Sequence, residues 1–162
     1  MVNENIETYL TVLEEALSKK DEILSQLIDI TKRQESIIKE KEIDEMEFNQ
    51  TLEEKDKLIQ LIQTIDDGFE RIYLLVKEEL PKTQSRYIER IKRLQDLIKE
   101  VMDKGVELQV LEKHNKMKLD AFLRTKRSEI KDFKMNNKTV SNYYKSISKQ
   151  YEQESYFFDK KK

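Results

Sequence analysis

His114 is the single imidazole in a chain of 162 residues, and it sits in EKHNKMK among polar neighbours. A histidine acting as general base needs a nucleophile or an orienting carboxylate held beside it, and the spacing around His114 supplies neither. It reads as a surface helix residue. Carboxylate pairs such as Glu14/Glu15 and Asp66/Asp67 are abundant, but a solvated helix face produces them equally well. A ferritin-like di-metal site takes a Glu-x-x-His from each of two helices, and one histidine cannot serve both. The chain has no Gly-rich phosphate loop, no HExxH and no EF-hand loop, the short patterns that would announce nucleotide, zinc or calcium chemistry. Cysteine is absent, which removes disulfides and thiolate zinc sites and is compatible with the cytosol. These residues predict a protein that is not an enzyme and carries no cofactor or metal.

The remaining chemistry is apolar and aromatic contact. Leu119, Phe122, Ile130 and Phe133 continue one helical stripe late in the chain, beyond the reach of any obvious partner helix. They are candidates for a protein partner's contact face. Beyond Phe133 the sequence MNNKTVSNYYKSISKQYEQESYFFDKKK is polar and lysine-rich, yet Tyr143, Tyr144, Tyr151, Tyr156, Phe157 and Phe158 are six of the chain's 13 aromatic residues. Segments that stay unfolded are poor in aromatics. The tail therefore either folds back over the protein or docks on a partner as an adhesive segment. The basic stretch Arg124–Lys134 could meet phosphates, but Glu129 and Asp132 dilute it and the chain as a whole is acidic. Nucleic acid is not expected. The longest apolar run, Ile72 to Val76, is far short of the roughly 18 residues that signal a membrane span, and the N-terminus lacks the pattern of a secretory signal.

Long helices must position these groups. Charged residues make up 40% of the chain and apolar ones 37%, with two Gly and one Pro, the composition of extended helices rather than strands and turns. Apolar residues recur at spacings of four and three through Ile6, Leu10, Leu13, Leu17, Leu24, Leu27 and Ile38, with a flanking row at Tyr9, Ala16, Ile23, Ile30 and Ile37. The pattern resumes at Phe48, Leu52, Ile59, Ile62, Phe69, Tyr73, Val76 and Leu80, flanked by Leu58, Ile65, Ile72, Leu61 and Leu75. A stripe this wide belongs to a bundle. Both series share one heptad phase, so residues 6–80 could also form a single rod of roughly 110 Å. Two features favour a hairpin. Seven of 22 seam positions are polar (Lys20, Thr31, Gln34, Lys41, Glu45, Lys55, Asp66), too many for a two-stranded coiled coil. Asp44 followed by Glu47 also reads as a helix start.

Pro81 predicts that the second helix ends or kinks there. A third series begins at Tyr87, one residue out of phase, and runs through Ile91, Leu94, Ile98, Val101, Leu108, Leu119 and Phe122. Gly105, Glu112 and Asn115 fall on its seam, which predicts a kink near 104–116. The expected fold is all-α: an antiparallel helical hairpin plus a third long helix, coiled-coil-like, over residues 1–134 (helices at about 4–40, 45–80 and 83–134), then a flexible tail over 135–162. Asp66 and Gly68 interrupt the second helix's apolar stretch, as a hinge or partner notch or as a register device at a wet layer. Charge is segregated: residues 1–112 hold 17 Lys/Arg against 27 Asp/Glu, and residues 113–162 hold 14 against 6. The two parts therefore meet different surroundings.

The segments EEKDKLIQLIQTID, HNKMKLDAFL (Asn115, Leu119, Leu123) and NNKTVSNYYK, following a leucine-rich first helix, resemble in order and spacing the flagellar export chaperones of the FlgN family. No glycine follows Tyr144, a departure from the family's tail pattern. The resemblance implies a small cytoplasmic chaperone for hook-associated proteins. It would bind their terminal helices, prevent premature assembly and deliver them to the flagellar type III export gate, docking there through a tail tyrosine to which Tyr143 and Tyr144 are the nearest matches. A chaperone for the filament cap protein and a structural coiled-coil homodimer are the competing readings. Asn136, Asn137, Ser141 and Asn142 compete locally for backbone hydrogen bonds, and the Gln/Glu/Ser/Lys stretches bury too little to offset about 1–2 kcal/mol of ordering entropy per residue. Amide exchange over residues 135–162 should therefore be fast in the free protein and slow with a partner bound; strong protection around Tyr143–Tyr151 in the free protein would make the tail a fixed structural part.

Overall fold

The computed structural model describes residues 2–40 and 42–125. Ile130, Phe133, Tyr143, Tyr144, Tyr151, Tyr156, Phe157 and Phe158, the tail and the helical extension expected over 126–134 lie outside the described residues. Three helices account for most of the rest: α1 (Val2–Ile38), α2 (Glu45–Thr83) and α3 (Ile88–Thr125), with a short 3-10 turn at Gln84–Arg86 before α3. No strand occurs among the described residues. The hairpin with a third helix is the observed architecture, and the continuous rod is not.

Helix starts follow the local chemistry. Asp44 precedes the first residue of α2, and its Oδ1 accepts a hydrogen bond from the Glu47 backbone N–H at 3.2 Å, satisfying one of the orphan donors of the first turn. Glu45 and Glu47 place negative charge at the positive end of the helix dipole. At α3 the Tyr87 carbonyl accepts from Ile91 N–H at 2.9 Å, and Glu89 sits in the first turn.

Two boundaries differ from the sequence expectation. Helix α2 runs through Pro81 to Thr83. The ring's missing N–H costs a single hydrogen bond there, in a last turn that is about to end. The third helix starts at Ile88 and not near 83, because the 3-10 turn takes up the residues between. That turn also accounts for the change of heptad phase. Helix α3 continues without interruption through 104–116, the stretch whose seam holds Gly105, Glu112 and Asn115.

Helix α1 is the central strut, and the close backbone approaches are chiefly those of α1 with α2 and of α1 with α3. Contacts fix the directions. Lys20 reaches Asp66 and Gln34 reaches Thr51, so α1 and α2 are antiparallel. Arg90 contacts Glu7, Thr11 and Glu14, Lys104 contacts Asp21 and Ser25, and Asn115 contacts Thr31, so α3 runs parallel to α1. The main core stacks Leu10, Leu13, Leu24 and Leu27 of α1 on Ile62 and Val76 of α2 and on Leu94, Val101 and Leu108 of α3. A second, smaller core closes the hairpin end with Ile37, Ile38, Phe48, Leu52 and Leu119.

The cap at Asp44 ties the hairpin turn to the first turn of α2. Asp44→Ala should lower unfolding free energy by about 1 kcal/mol, and Asp44→Asn should restore most of it, both read from urea midpoints at constant m-value.

Candidate partner-binding surfaces

A layer of polar side chains separates the two apolar cores. Thr31 and Gln34 come from α1, Thr51 and Lys55 from α2, and Glu112 and Asn115 from α3, all six buried. Lys55 Nζ pairs with the Glu112 carboxylate and donates to Gln34 Oε1. Gln34 Nε2 donates to Thr51 Oγ1 at 2.8 Å. The Thr31 hydroxyl lies 2.7 Å from the Leu27 carbonyl and 3.0 Å from Glu112 Oε1, and Asn115 Nδ2 donates to the Thr31 carbonyl at 2.9 Å. Burial of Lys55 pulls its pKa down from 10.5 to about 8, against the opposing pull of Glu112. A charge so placed is tolerated because a hydrogen-bond acceptor and its counter-charge are in reach.

One helical turn past this layer, α3 outlasts the hairpin. Leu119 is 3% exposed and packs in the small core. It is a core residue in this structure, so it offers a partner no free surface. Phe122 and Leu123 beyond it are half-buried, and Leu123 rests on the small core together with Ile43 of the turn. Of the face proposed from sequence, Phe122 alone is both described and accessible.

A second accessible apolar surface runs along α2. Leu61 and Leu75 are 51% and 53% exposed, and Leu58, Ile65 and Ile72 beside them are half-buried against the core. Behind it lies a second polar pair: Lys20 Nζ donates to Asp66 Oδ1 at 2.7 Å, while Asp66 Oδ2 is buried without a hydrogen-bond partner. Burial raises the Asp66 pKa, with Lys20 pulling the other way. A cavity of about 20 Å³ adjoins this pair, lined by residues of all three helices including Ala16, Ile65 and Val101. It has room for one water molecule.

His114 is exposed, and no group of three or more metal-ligating side chains occurs among the described residues. No described helix is long and apolar enough to cross a membrane. The polar layer was not foreseen as a unit, although its signal is present: Lys20 and Asp66, like Thr31 and Lys55, stand equally far on either side of the turn at Ile43. Polar residues so placed face one another in a hairpin.

A family model described as FlgN protein matches residues 1–151. No curated protein and no solved structure matched the chain.

Removing one member of the buried pair leaves the other charge uncompensated, so Lys55→Met should cost about 3–5 kcal/mol, and Lys55→Met with Glu112→Leu should return to wild-type stability or exceed it. The pH dependence has a defined sign. The folded-state pKa of Lys55, about 8, is below the ordinary lysine value of 10.5, so between these values the unfolded chain binds more protons and the fold gains stability as pH rises. Denaturation at pH 8 and at pH 10 should show this gain in the wild type and its loss in Lys55→Met.

Proposed function

This chain belongs to the FlgN family, a family of flagellar export chaperones, and on that premise we propose that it holds hook-associated proteins in the cytoplasm, prevents their premature assembly and delivers them to the flagellar export gate. The observation that carries the client site is the end of α3. There Phe122 stands half-buried one turn beyond Leu119, the last buried residue of the helix, where α1 has already ended at Ile38. A client's terminal amphipathic helix laid against this end would bury Phe122 and extend the small core, with Ile130 and Phe133 continuing the contact along the stripe. Helix-in-groove recognition of this kind needs an apolar anchor row and no nucleotide. The aromatic tail, with Tyr143 and Tyr144 foremost and Tyr151, Phe157 and Phe158 behind, is assigned to the export apparatus.

Burying one such side chain is worth roughly 1.5–3 kcal/mol. Titration of purified hook-associated proteins into the full chain should therefore show Phe122→Ala binding at least tenfold more weakly, with its thermal midpoint unchanged. If Phe122→Ala lowers the midpoint sharply instead, Phe122 belongs to the core and the site lies elsewhere. Binding of the filament cap protein in place of hook-associated proteins would reassign the client.

A further inference from the structure

The buried apolar residues of all three helices are interrupted at one level. On α1 they stop at Ile28 and resume at Ile37, and on α2 they stop at Leu52 and resume at Ile59. On α3 they stop at Leu108 and resume at Leu119. Each gap covers roughly 10–17 Å of helix. The fully buried side chains inside the gaps are polar: Thr31, Gln34, Lys55, Glu112 and Asn115. Apolar contact reaches only about 4–4.5 Å between heavy atoms, and the buried apolar residues on the two sides form separate clusters. Unfolding spreads through shared contacts, and units that share few of them open separately.

The two units are unequal. Five buried apolar residues hold the hairpin tip against eighteen in the main core, so the tip has far less burial to lose. Helix α1 ends at Ile38 and α2 begins at Glu45, and both therefore meet the tip with terminal turns that lack some helical hydrogen bonds. The boundary itself tolerates opening. Lys55 keeps Glu112, Gln34 keeps Lys55, and the Thr31 hydroxyl keeps the Leu27 carbonyl. The Gln34–Thr51 hydrogen bond is given up, but no charge is left alone. Asn115 stands one turn before Leu119, and its Oδ1 is buried without a hydrogen-bond partner. Water admitted at this level would satisfy that oxygen and lower the cost of opening.

We propose that the hairpin tip, residues 35–40, 42–52 and 116–125, opens as one unit while the main core stays folded, with the polar layer as the boundary. Opening uncovers Ile37, Ile38, Phe48, Leu52 and Leu119 beside Phe122, apolar groups that the closed bundle withholds. The consequence for a client rests on the chaperone reading: the client's helix binds the opened tip, and the polar layer limits how far the bundle yields.

Native-state hydrogen exchange on the full chain tests this. Amides of Ile37, Leu52 and Leu119, one on each helix, should share one protection factor, at least tenfold below that of Leu24, Ile62 and Val101 in the main core. Independent fraying predicts a separate gradient along each helix instead. Leu119→Ala should lower protection at Ile37 and Leu52 at least tenfold and leave the three main-core amides unchanged, an effect across helices that fraying does not produce. Lys55→Met with Glu112→Leu makes the apolar contact continuous and should raise tip protection at least tenfold. A purified hook-associated protein should raise tip protection in the wild type. It should bind the double variant at least tenfold more weakly, although neither substituted position is exposed. Uniform protection, separate gradients, or a Leu119→Ala effect that stays on α3 or spreads into the main core each overturns the proposal. So does tip protection that the double variant leaves unchanged. Equal client affinity in the double variant would remove the tip's opening from client binding and leave the chaperone reading standing. A wild type that binds no hook-associated protein would end the chaperone reading, with the opening unit judged by exchange in the free chain.

Discussion

The ion pair between Lys55 and Glu112 constrains the rest of the structure. It joins α2 to α3, whose close backbone approaches are to α1; Gln34 and Thr31 of α1 hydrogen-bond the pair directly, and Thr51 and Asn115 in turn bond Gln34 and the Thr31 carbonyl. Apolar seams alone permit slippage, because one heptad of leucines and isoleucines resembles the next. A buried charge does not permit it. Any shift of α2 or α3 along α1 would leave Lys55 or Glu112 in the core without a partner, at a cost of several kcal/mol. A single buried polar residue is known to fix register in coiled coils, and here six of them act as one layer. The layer adds little to stability, and its contribution is the choice of a single alignment.

That alignment determines which apolar residues remain accessible. With register fixed, Leu119 is drawn into the small core and Phe122 falls one turn beyond it. Lys20 meets Asp66 within the main core, and Leu61 and Leu75 of the same helix stay exposed. Both accessible surfaces are therefore consequences of the same polar contacts. Neither would exist in a rod or in a hairpin slipped by seven residues.

The architecture was legible because helix period and capping chemistry are local. The 4,3 spacing gave three helices, and Asp44 with Glu47 gave the turn that separated the hairpin from the rod. What the sequence obscured was the role of polar seam residues. Lys20, Gln34 and Lys55 read as faults in a coiled coil when each is considered alone, and Glu112 and Asn115 read as a kink in α3. Their meaning depends on which residue stands opposite, a tertiary fact that becomes readable only when the hairpin is folded on paper about Ile43. Leu119 was misjudged for the same reason. Its periodicity matches that of Phe122, and only the length of the hairpin decides that one is covered and the other is not. Asn115, part of the pattern that resembles the family's third helix, has a physical role as the donor that holds α3 to the α1 backbone.

A chaperone of this kind faces conflicting demands. It must keep apolar surface accessible for a client, yet the same surface invites self-association. Two features of this chain bear on the conflict without filling the surface. The polar layer restricts the bundle to one internal packing. The acidic charge of the hairpin opposes the approach of an identical face. The apolar rows of α2 themselves remain exposed at Leu61 and Leu75. A partner that covers those rows gains the apolar burial that the free chain forgoes.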